Sequence, residues 1–278
     1  MPKFSFKVAP IDISWEQMST LWRAADEASF FTGGWLLDHF YPSRGPIRPT
    51  WEAWTLLASL AAITSRLRLG VMVSSNTFRH PALLAHMAAS VDEISGGRLE
   101  LGLGAGWNQA EHDAFGIDLG DAVSRWGRLA EALEIVDGLL TQDSYSFSGK
   151  HFRLDNAQLM HKPVQQPRPP FVIGGIGPKR TLPLVARWAD HWNYFNPTEP
   201  PEVLAEYKER LAALCVSVDR SITDIEVSAQ MRMPATSGEL TDLAGRLLAA
   251  GADHIVVTAF APFDDGTIDR IAAGLAPL

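Results

Sequence analysis

An Asp-His pair after an early apolar run is the first place in the sequence where acid–base chemistry is expected. Asp38 ends a predicted strand at residues 34–38, and His39 follows it directly. Imidazole titrates near neutrality, so His39 is a candidate general acid or base. Asp38 could orient the imidazole ring or contact a cofactor. The alternative interpretation is a capping aspartate beside an ordinary, partly buried histidine.

A glycine-rich segment with two basic residues is a candidate phosphate site. Residues 174–180 read Gly-Gly-Ile-Gly-Pro-Lys-Arg and join a predicted strand to a predicted helix. Glycines allow a ligand to approach the backbone closely, and the free N–H groups at a helix N-terminus bind anions. Pro178 has no N–H, so the expected donors are the backbone N–H groups of Ile176, Gly177 and Lys179. The alternative is a tight strand-to-helix turn.

Two further segments after predicted strands carry small polar residues or glycines. The polar side chains at 74–77 could hydrogen-bond a ring system, or they could form a plain connection to the next helix. Gly102, Gly104 and Gly106 alternate along and beyond another predicted strand, with Asn108 two residues further. These glycines either clear space for a bulky ligand or admit neighbouring side chains.

The order of apolar runs and helical patterns predicts the fold. The predicted strands lie at residues 3–9, 34–38, 67–73, 98–103, 171–174, 189–195, 225–233 and 254–258. The predicted helices lie at residues 15–28, 50–65, 81–95, 129–140, 178–188, 201–215, 240–250 and 265–275, with Thr50 and His80 as caps. Eight strand–helix units favour an α/β fold, a (β/α)8 TIM barrel, in one domain over residues 1–278. A doubly wound sheet usually places its glycine-rich loop after the first strand, where this chain has none.

Two insertions into the barrel are expected. A long loop at 105–123 follows the fourth strand, and a hairpin at 145–154 precedes the fifth. In such a barrel the active site lies at the C-terminal ends of the strands, where all the candidate segments stand. Glu100 is expected to point into the barrel and to pair with an interior arginine rather than to act in catalysis.

Composition excludes several classes of function. Acidic residues outnumber basic ones, 32 against 24, which argues against nucleic-acid binding. Cys215 is the only cysteine, and no HxH or HExxH spacing occurs, so no metal site is expected. The uncharged stretch at 53–65 is too short to cross a bilayer, and no signal peptide is read at the N-terminus. We therefore expect a cytoplasmic protein that binds a small molecule and neither nucleic acid nor membrane.

Taken together, these segments resemble the luciferase-like monooxygenase superfamily, and most closely its branch that uses the deazaflavin coenzyme F-420. The stretches that carry the resemblance are residues 35–40, 69–73, 76–81, 95–107 and 169–175. The resemblance spans nearly the whole chain. It implies a barrel that holds a flavin or deazaflavin at its C-terminal face.

The resemblance also implies roles for individual residues. His39 matches a histidine that donates a proton in the sugar-phosphate dehydrogenases of this superfamily. Met72 and Val73 match a bulge whose non-proline cis peptide bond lies behind the central ring of the cofactor. The other implied cofactor contacts are Asp38, Ser75, Thr77, Gly106, Asn108, Gly174, Gly175, Ile176, Gly177 and Lys179.

The chain departs from those dehydrogenases at two positions. They carry a glutamate directly after the glycine equivalent to Gly106, where this chain has Trp107. They carry a tryptophan four residues beyond the histidine, where this chain has Ser43. We therefore expect the partner base and part of the sugar pocket to be missing, and the sugar-phosphate substrate is not transferred.

The predicted function is hydride transfer between coenzyme F-420 and an unidentified small organic substrate, with His39 passing a proton. The alternatives are an FMN-dependent monooxygenase supplied by a partner flavin reductase, and a non-catalytic flavin-binding protein. A lyase or isomerase without a redox cofactor ranks last. The acidic tail of F-420 would need a basic patch, for which the candidates are Lys179, Arg180, Arg125 and Arg128. Members of the superfamily are commonly dimers, so a homodimer is expected.

Overall fold

The computed structural model describes residues 1–42, 45–264 and 266–278, whose parallel strands close into a barrel. The strands are β1 (Lys3–Val8), β2 (Gly33–Leu36), β3 (Arg68–Val71), β4 (Ser74–Ser75), β5 (Leu99–Gly104), β6 (Tyr145–Ser148), β7 (Arg153–Ala157), β8 (Phe171–Gly174), β9 (His191–Tyr194), β10 (Glu226–Arg232) and β11 (His254–Ala259). β3 and β4 share one position, and β5 pairs with both, which closes the ring and confirms the predicted (β/α)8 barrel. The difference noted at Ser43 and the helix start expected at Asp265 lie outside the described residues.

Helices surround the barrel and cover its apolar outer face. They are α1 (Trp15–Glu27), α2 (Ala53–Ile63), α3 (Pro81–Ser95), α4 (Gln109–Phe115), α5 (Ala122–Thr141), α6 (Thr181–Trp188), α7 (Val203–Val216), α8 (Ser237–Ala249) and α9 (Thr267–Leu275). In the described ranges, none of these helices has the length and apolar character needed to cross a membrane. Inside the barrel, a separate apolar cluster of Trp35, Met72, Val172 and Val256 packs with Val73 below the C-terminal opening.

Helix α3 confirms the predicted ends, and two of its large apolar side chains face outward. It begins at Pro81, with the His80 ring accepting the N–H of Ala82, and it ends at Gly96 with φ +65°. Leu83 and Ile94 are 54% and 48% exposed, although helical spacing groups them with the apolar Val91. The buried face is instead lined with small residues, because the helix packs closely on α2 and α5.

Three other local predictions need correction. The N-cap of α2 is Glu52 rather than Thr50, since the Glu52 carboxylate accepts the N–H groups of Trp54 and Thr55. The predicted loop at 105–123 contains a helix, α4. Helix α6 begins at Thr181 rather than at Pro178, because residues 178–180 form a turn over the Gly177 carbonyl. The predicted hairpin is present as β6 and β7.

The N-terminal end of the barrel is filled by charged groups that pair with one another. As predicted, Glu100 points inward and meets an arginine, with Arg68 Nε at 2.6 Å. His191 Nδ1 lies 3.0 Å from the other oxygen, and its Nε2 lies 2.6 Å from Ser228 Oγ. Burial raises the pKa of Glu100, but His191 and Arg68 outweigh it and hold that pKa at about 2.

A second, similar chain of hydrogen bonds lies beside the first. Glu226 pairs with Lys3 at 2.5 Å and with His254 Nδ1 at 2.7 Å, while His254 Nε2 meets Ser5 Oγ at 2.7 Å. His191, Glu226 and His254 lie close enough together to bind a metal ion. Their nitrogens are already engaged, and Lys3 balances the charge of Glu226. We interpret the cluster as a structural hydrogen-bond network that fills the N-terminal end of the barrel.

The glycines of β5 make room for the interruption between β3 and β4. A Cβ atom on Gly102 would overlap the Val71 carbonyl oxygen, and one on Gly104 would overlap the Val73 side chain. Gly174 would bring a Cβ within 3.2 Å of the same valine. These glycines therefore make room for neighbouring protein atoms rather than for a bulky ligand.

We expect Gly102→Ala to lower the free energy of unfolding by about 3 kcal/mol, the upper part of the range for overpacking, because the added methyl group meets backbone. Gly238→Ala is the matched control, since a Cβ at Gly238 in α8 meets nothing within 4 Å. Urea unfolding followed by circular dichroism measures both. Equal stabilities of the Gly102 variant and the wild type would contradict the steric account.

Candidate active site

A cavity of about 1020 Å³ opens at the C-terminal ends of the strands, where a barrel is expected to carry its site. The predicted site residues that line it are Asp38, His39, Met72, Val73, Ser75, Gly106, Asn108, Gly174, Gly175, Ile176 and Gly177. Thr77 and Lys179 do not line it. The Oγ1 atom of Thr77 forms a hydrogen bond with Ser75 Oγ at 2.8 Å. Lys179 is exposed on the turn before α6.

The Asp38 carboxylate ties two strand ends together. Arg79 donates to both of its oxygens, at 2.7 and 3.0 Å, and the backbone N–H of Ser75 donates at 2.8 Å. The side chain of Asp38 is 3% exposed. Asp38 therefore does not orient the ring of His39, and the first role considered for it is wrong.

The ring of His39 is held by Glu111, from α4. The Nδ1 atom of His39 lies 2.9 Å from Glu111 Oε2. The Oε1 atom accepts the backbone N–H groups of Phe40 and Tyr41, at 2.9 and 3.3 Å. Burial raises the pKa of the Glu111 carboxyl, but His39 and these N–H groups outweigh it and lower that pKa.

This pair fixes the chemistry that His39 can perform. Because Glu111 is an ionised acceptor, Nδ1 of His39 carries the proton and Nε2 is left for a group in the cavity. Trp107 still leaves the position of the expected partner base without a carboxylate, and Glu111 contacts the other side of the histidine ring, at Nδ1 of His39. Asn108 before the polar run at 109–113 indicates a helix start, but no sequence pattern pairs Glu111 with His39.

The segment between β3 and β4 forms the apolar wall of the cavity. The Met72–Val73 peptide bond is cis, as the resemblance implied. The Nζ atom of Lys7 donates to the Met72 carbonyl and, at 3.1 Å, to Gln230 Oε1. Burial lowers the pKa of Lys7 from its ordinary value to about 7. Lys7 was not among the residues predicted for the site, although alternation along β1 places it on the inner face with Ser5.

The glycine-rich loop offers free backbone donors to the cavity. The N–H of Gly175 is taken by the Asn193 carbonyl at 3.2 Å. In the described ranges, the N–H groups of Ile176, Gly177 and Lys179 donate to no protein acceptor. Gly175 has φ +115°, a conformation that favours glycine. The loop can therefore bind an anion such as phosphate, although the helix behind it starts later than predicted.

Two buried polar atoms of the cavity wall lack a partner. Nδ2 of Asn108 and Oγ1 of Thr258 make no hydrogen bond with any residue that the structure describes. A buried polar atom without a partner lowers stability by about 1–3 kcal/mol, so such atoms in a cavity point to a ligand. Both atoms are therefore available to a cofactor or substrate.

Comparison with known proteins decides the family. The family model described as luciferase-like monooxygenase matches residues 5–260. The chain belongs to the luciferase-like monooxygenase family. A pyrimidine monooxygenase, RutA, from Stutzerimonas stutzeri is 30% identical over 175 residues, which is 62% of this chain and 48% of that protein. RutA from Agrobacterium fabrum is 31% identical over 177 residues, 63% of this chain and 48% of that protein.

The chain spans about half the length of these curated relatives. Solved structures match it over 99% of both chains. An F-420-dependent secondary alcohol dehydrogenase, in complex with an F-420–acetone adduct, has a TM-score of 0.86 at 16% identity. An F-420-dependent tetrahydromethanopterin reductase from Methanopyrus kandleri has a TM-score of 0.83 at 18% identity. Monooxygenase RslO1 from Streptomyces bottropensis has a TM-score of 0.78 at 20% identity. These likenesses show that the luciferase-like fold is shared.

The burial of Lys7 predicts how the stability of this luciferase-like barrel depends on pH. The folded pKa is about 7 and the unfolded one is about 10.4, so the unfolded chain binds more protons between these values. The free energy of unfolding should rise with pH across that window, by at most about 1.4 kcal/mol per pH unit. Lys7→Met should lack this rise. Urea unfolding of both proteins from pH 6.5 to 9 measures the difference, and parallel curves would contradict it.

Proposed function

We propose that this luciferase-like oxidoreductase transfers a hydride between coenzyme F-420 and a small organic substrate. The observation that carries the proposal is the His39–Glu111 pair on the wall of the cavity. Hydride transfer to a carbonyl carbon, or away from an alcohol carbon, needs a proton transfer at the oxygen. His39 can give or take that proton at Nε2, while Glu111 stabilises the charged ring.

The residues of the cavity fit a cofactor that joins a ring to a phosphate. Val73 offers an apolar surface, and the unpartnered amide of Asn108 can hydrogen-bond a polar edge or a side chain. The free N–H groups of Ile176 and Gly177 suit a phosphate. When bound, coenzyme F-420 supplies or accepts the hydride. The roles of these residues toward it are our proposal.

The basic residues near the glycine-rich loop support F-420 over FMN. Lys179 and Arg180 are exposed and form no ion pair with a described residue, so they are available to an acidic tail. The Nε atom of Arg125 is buried and has no hydrogen-bond partner among the described residues. Arg128 is bound by Asp118 at 2.5 Å and is a poorer candidate. The F-420-dependent enzymes that share the fold over their whole length add support.

An FMN-dependent monooxygenase is the second candidate, and the similarity to the two RutA proteins favours it. A flavin reductase would then be needed to supply reduced FMN. The same ring and phosphate contacts would serve both cofactors, so the cavity alone does not separate them. The homodimer and the small-molecule substrate stay predictions in either case.

A titration of the purified apoprotein with F-420, FMN and riboflavin tests the proposal. We expect micromolar or tighter binding of F-420, weaker binding of FMN, and the weakest binding of riboflavin, which lacks the phosphate. Fluorescence quenching gives each dissociation constant. A preference for FMN would move the protein to the oxygen-activating reaction. Binding of none of the three would overturn the redox proposal.

A further inference from the structure

One side of the cavity is polar, and the proposed function gives it no role. Lys7, Gln230 and Thr258 lie on the neighbouring strands β1, β10 and β11, and all three line the cavity. Lys7 and Thr258 are directly opposite one another in the register of β1 and β11. We refer to these three residues as the polar wall.

Lys7 brings to the polar wall an amine that has no counter-charge when it is protonated. The residue is 3% exposed, and its Nζ donates to the Met72 carbonyl and to Gln230 Oε1, neither of which titrates. In the described ranges it forms no ion pair with a carboxylate. In its protonated form the amine has three donors, so one remains for a ligand. A buried charge without a counter-charge is unfavourable, and an anion that enters the cavity would remove the penalty.

The hydroxyl of Thr258 is an independent observation at the same place. The residue is 1% exposed, and its Oγ1 has no hydrogen-bond partner among the described residues. The wall therefore presents an ammonium and a free hydroxyl to one ligand group. A group that is negatively charged and rich in acceptor oxygens or nitrogens satisfies both.

The position of Lys7 indicates which ligand carries that group. Its partner Met72 belongs to the segment that continues into Val73, the apolar surface suited to the cofactor ring. The pyrimidine half of the ring, with its two carbonyl oxygens, is common to F-420 and FMN. Two-electron reduction places negative charge on that half, and a nearby protein charge tunes the ring through it.

We propose that the polar wall binds the pyrimidine half of the cofactor and favours its reduced, negatively charged form. The inference rests on the proposed function in one respect only, namely that a ring cofactor occupies the cavity. It holds for F-420 and for FMN alike. Lys7 is then a residue that sets the redox preference of the site rather than one that moves a proton.

The test compares Lys7→Met with a matched control, Lys162→Met. The Nζ atom of Lys162 also donates to two carbonyl oxygens, those of Leu139 and Gln142, but it lies outside the cavity. Dissociation constants of oxidised and chemically reduced F-420 and FMN are measured without oxygen. We expect the ratio of oxidised to reduced constants to fall at least tenfold in Lys7→Met only. That change corresponds to about 30 mV in a two-electron midpoint potential, which redox titration measures independently.

A second variant protects the test against misfolding. Thr258→Val removes a hydroxyl that has no partner, so the barrel should fold while the ratio falls several-fold. An unchanged ratio in both variants, with wild-type binding intact, would overturn the role of the polar wall and leave the proposed function standing. Failure of the wild type to bind either cofactor would overturn both.

Discussion

The binding of the Asp38 carboxylate from two sides is the constraint on which the C-terminal opening of the barrel depends. Arg79 donates to both oxygens, and the Ser75 N–H donates to one of them. These hydrogen bonds hold the ends of β2 and β4 together. Arg79 also reaches Glu52, which caps α2. A buried ion pair that is held by several hydrogen bonds resists rearrangement. His39, the next residue, is thereby kept at the cavity that Val73 also lines.

The cavity that results is electrically asymmetric. On one side, Glu111 is a buried carboxylate whose charge is stabilised by His39 and two backbone N–H groups. On the other side, Lys7 is a buried amine with only neutral acceptors. Apolar Val73 and the donor-rich loop at Gly177 also line the cavity. Lys7 and the loop at Gly177 suit an anionic ring and a phosphate. The Glu111–His39 pair suits a reaction in which a proton is transferred at His39.

The sequence predicts the fold and the strand-end residues well, because both depend on local patterns. Eight repeats of an apolar run and a helix predict the barrel. The position of His39 directly after β2 predicts that it lies at the cavity. The partner of His39 could not be found this way, since Glu111 is 72 residues away on a helix first read as a loop. Lys179 does not line the cavity, and α6 starts three residues later than Pro178 suggested.

A crystal structure of the protein with its preferred cofactor bound tests the central claim most directly. The account predicts the ring against Val73, the phosphate on the N–H groups of Ile176 and Gly177, and Nε2 of His39 facing the ring while Glu111 keeps Nδ1. Asp38 should retain Arg79 in the complex. A cofactor bound outside this cavity, or a His39 ring turned so that Glu111 no longer holds it, would contradict the account.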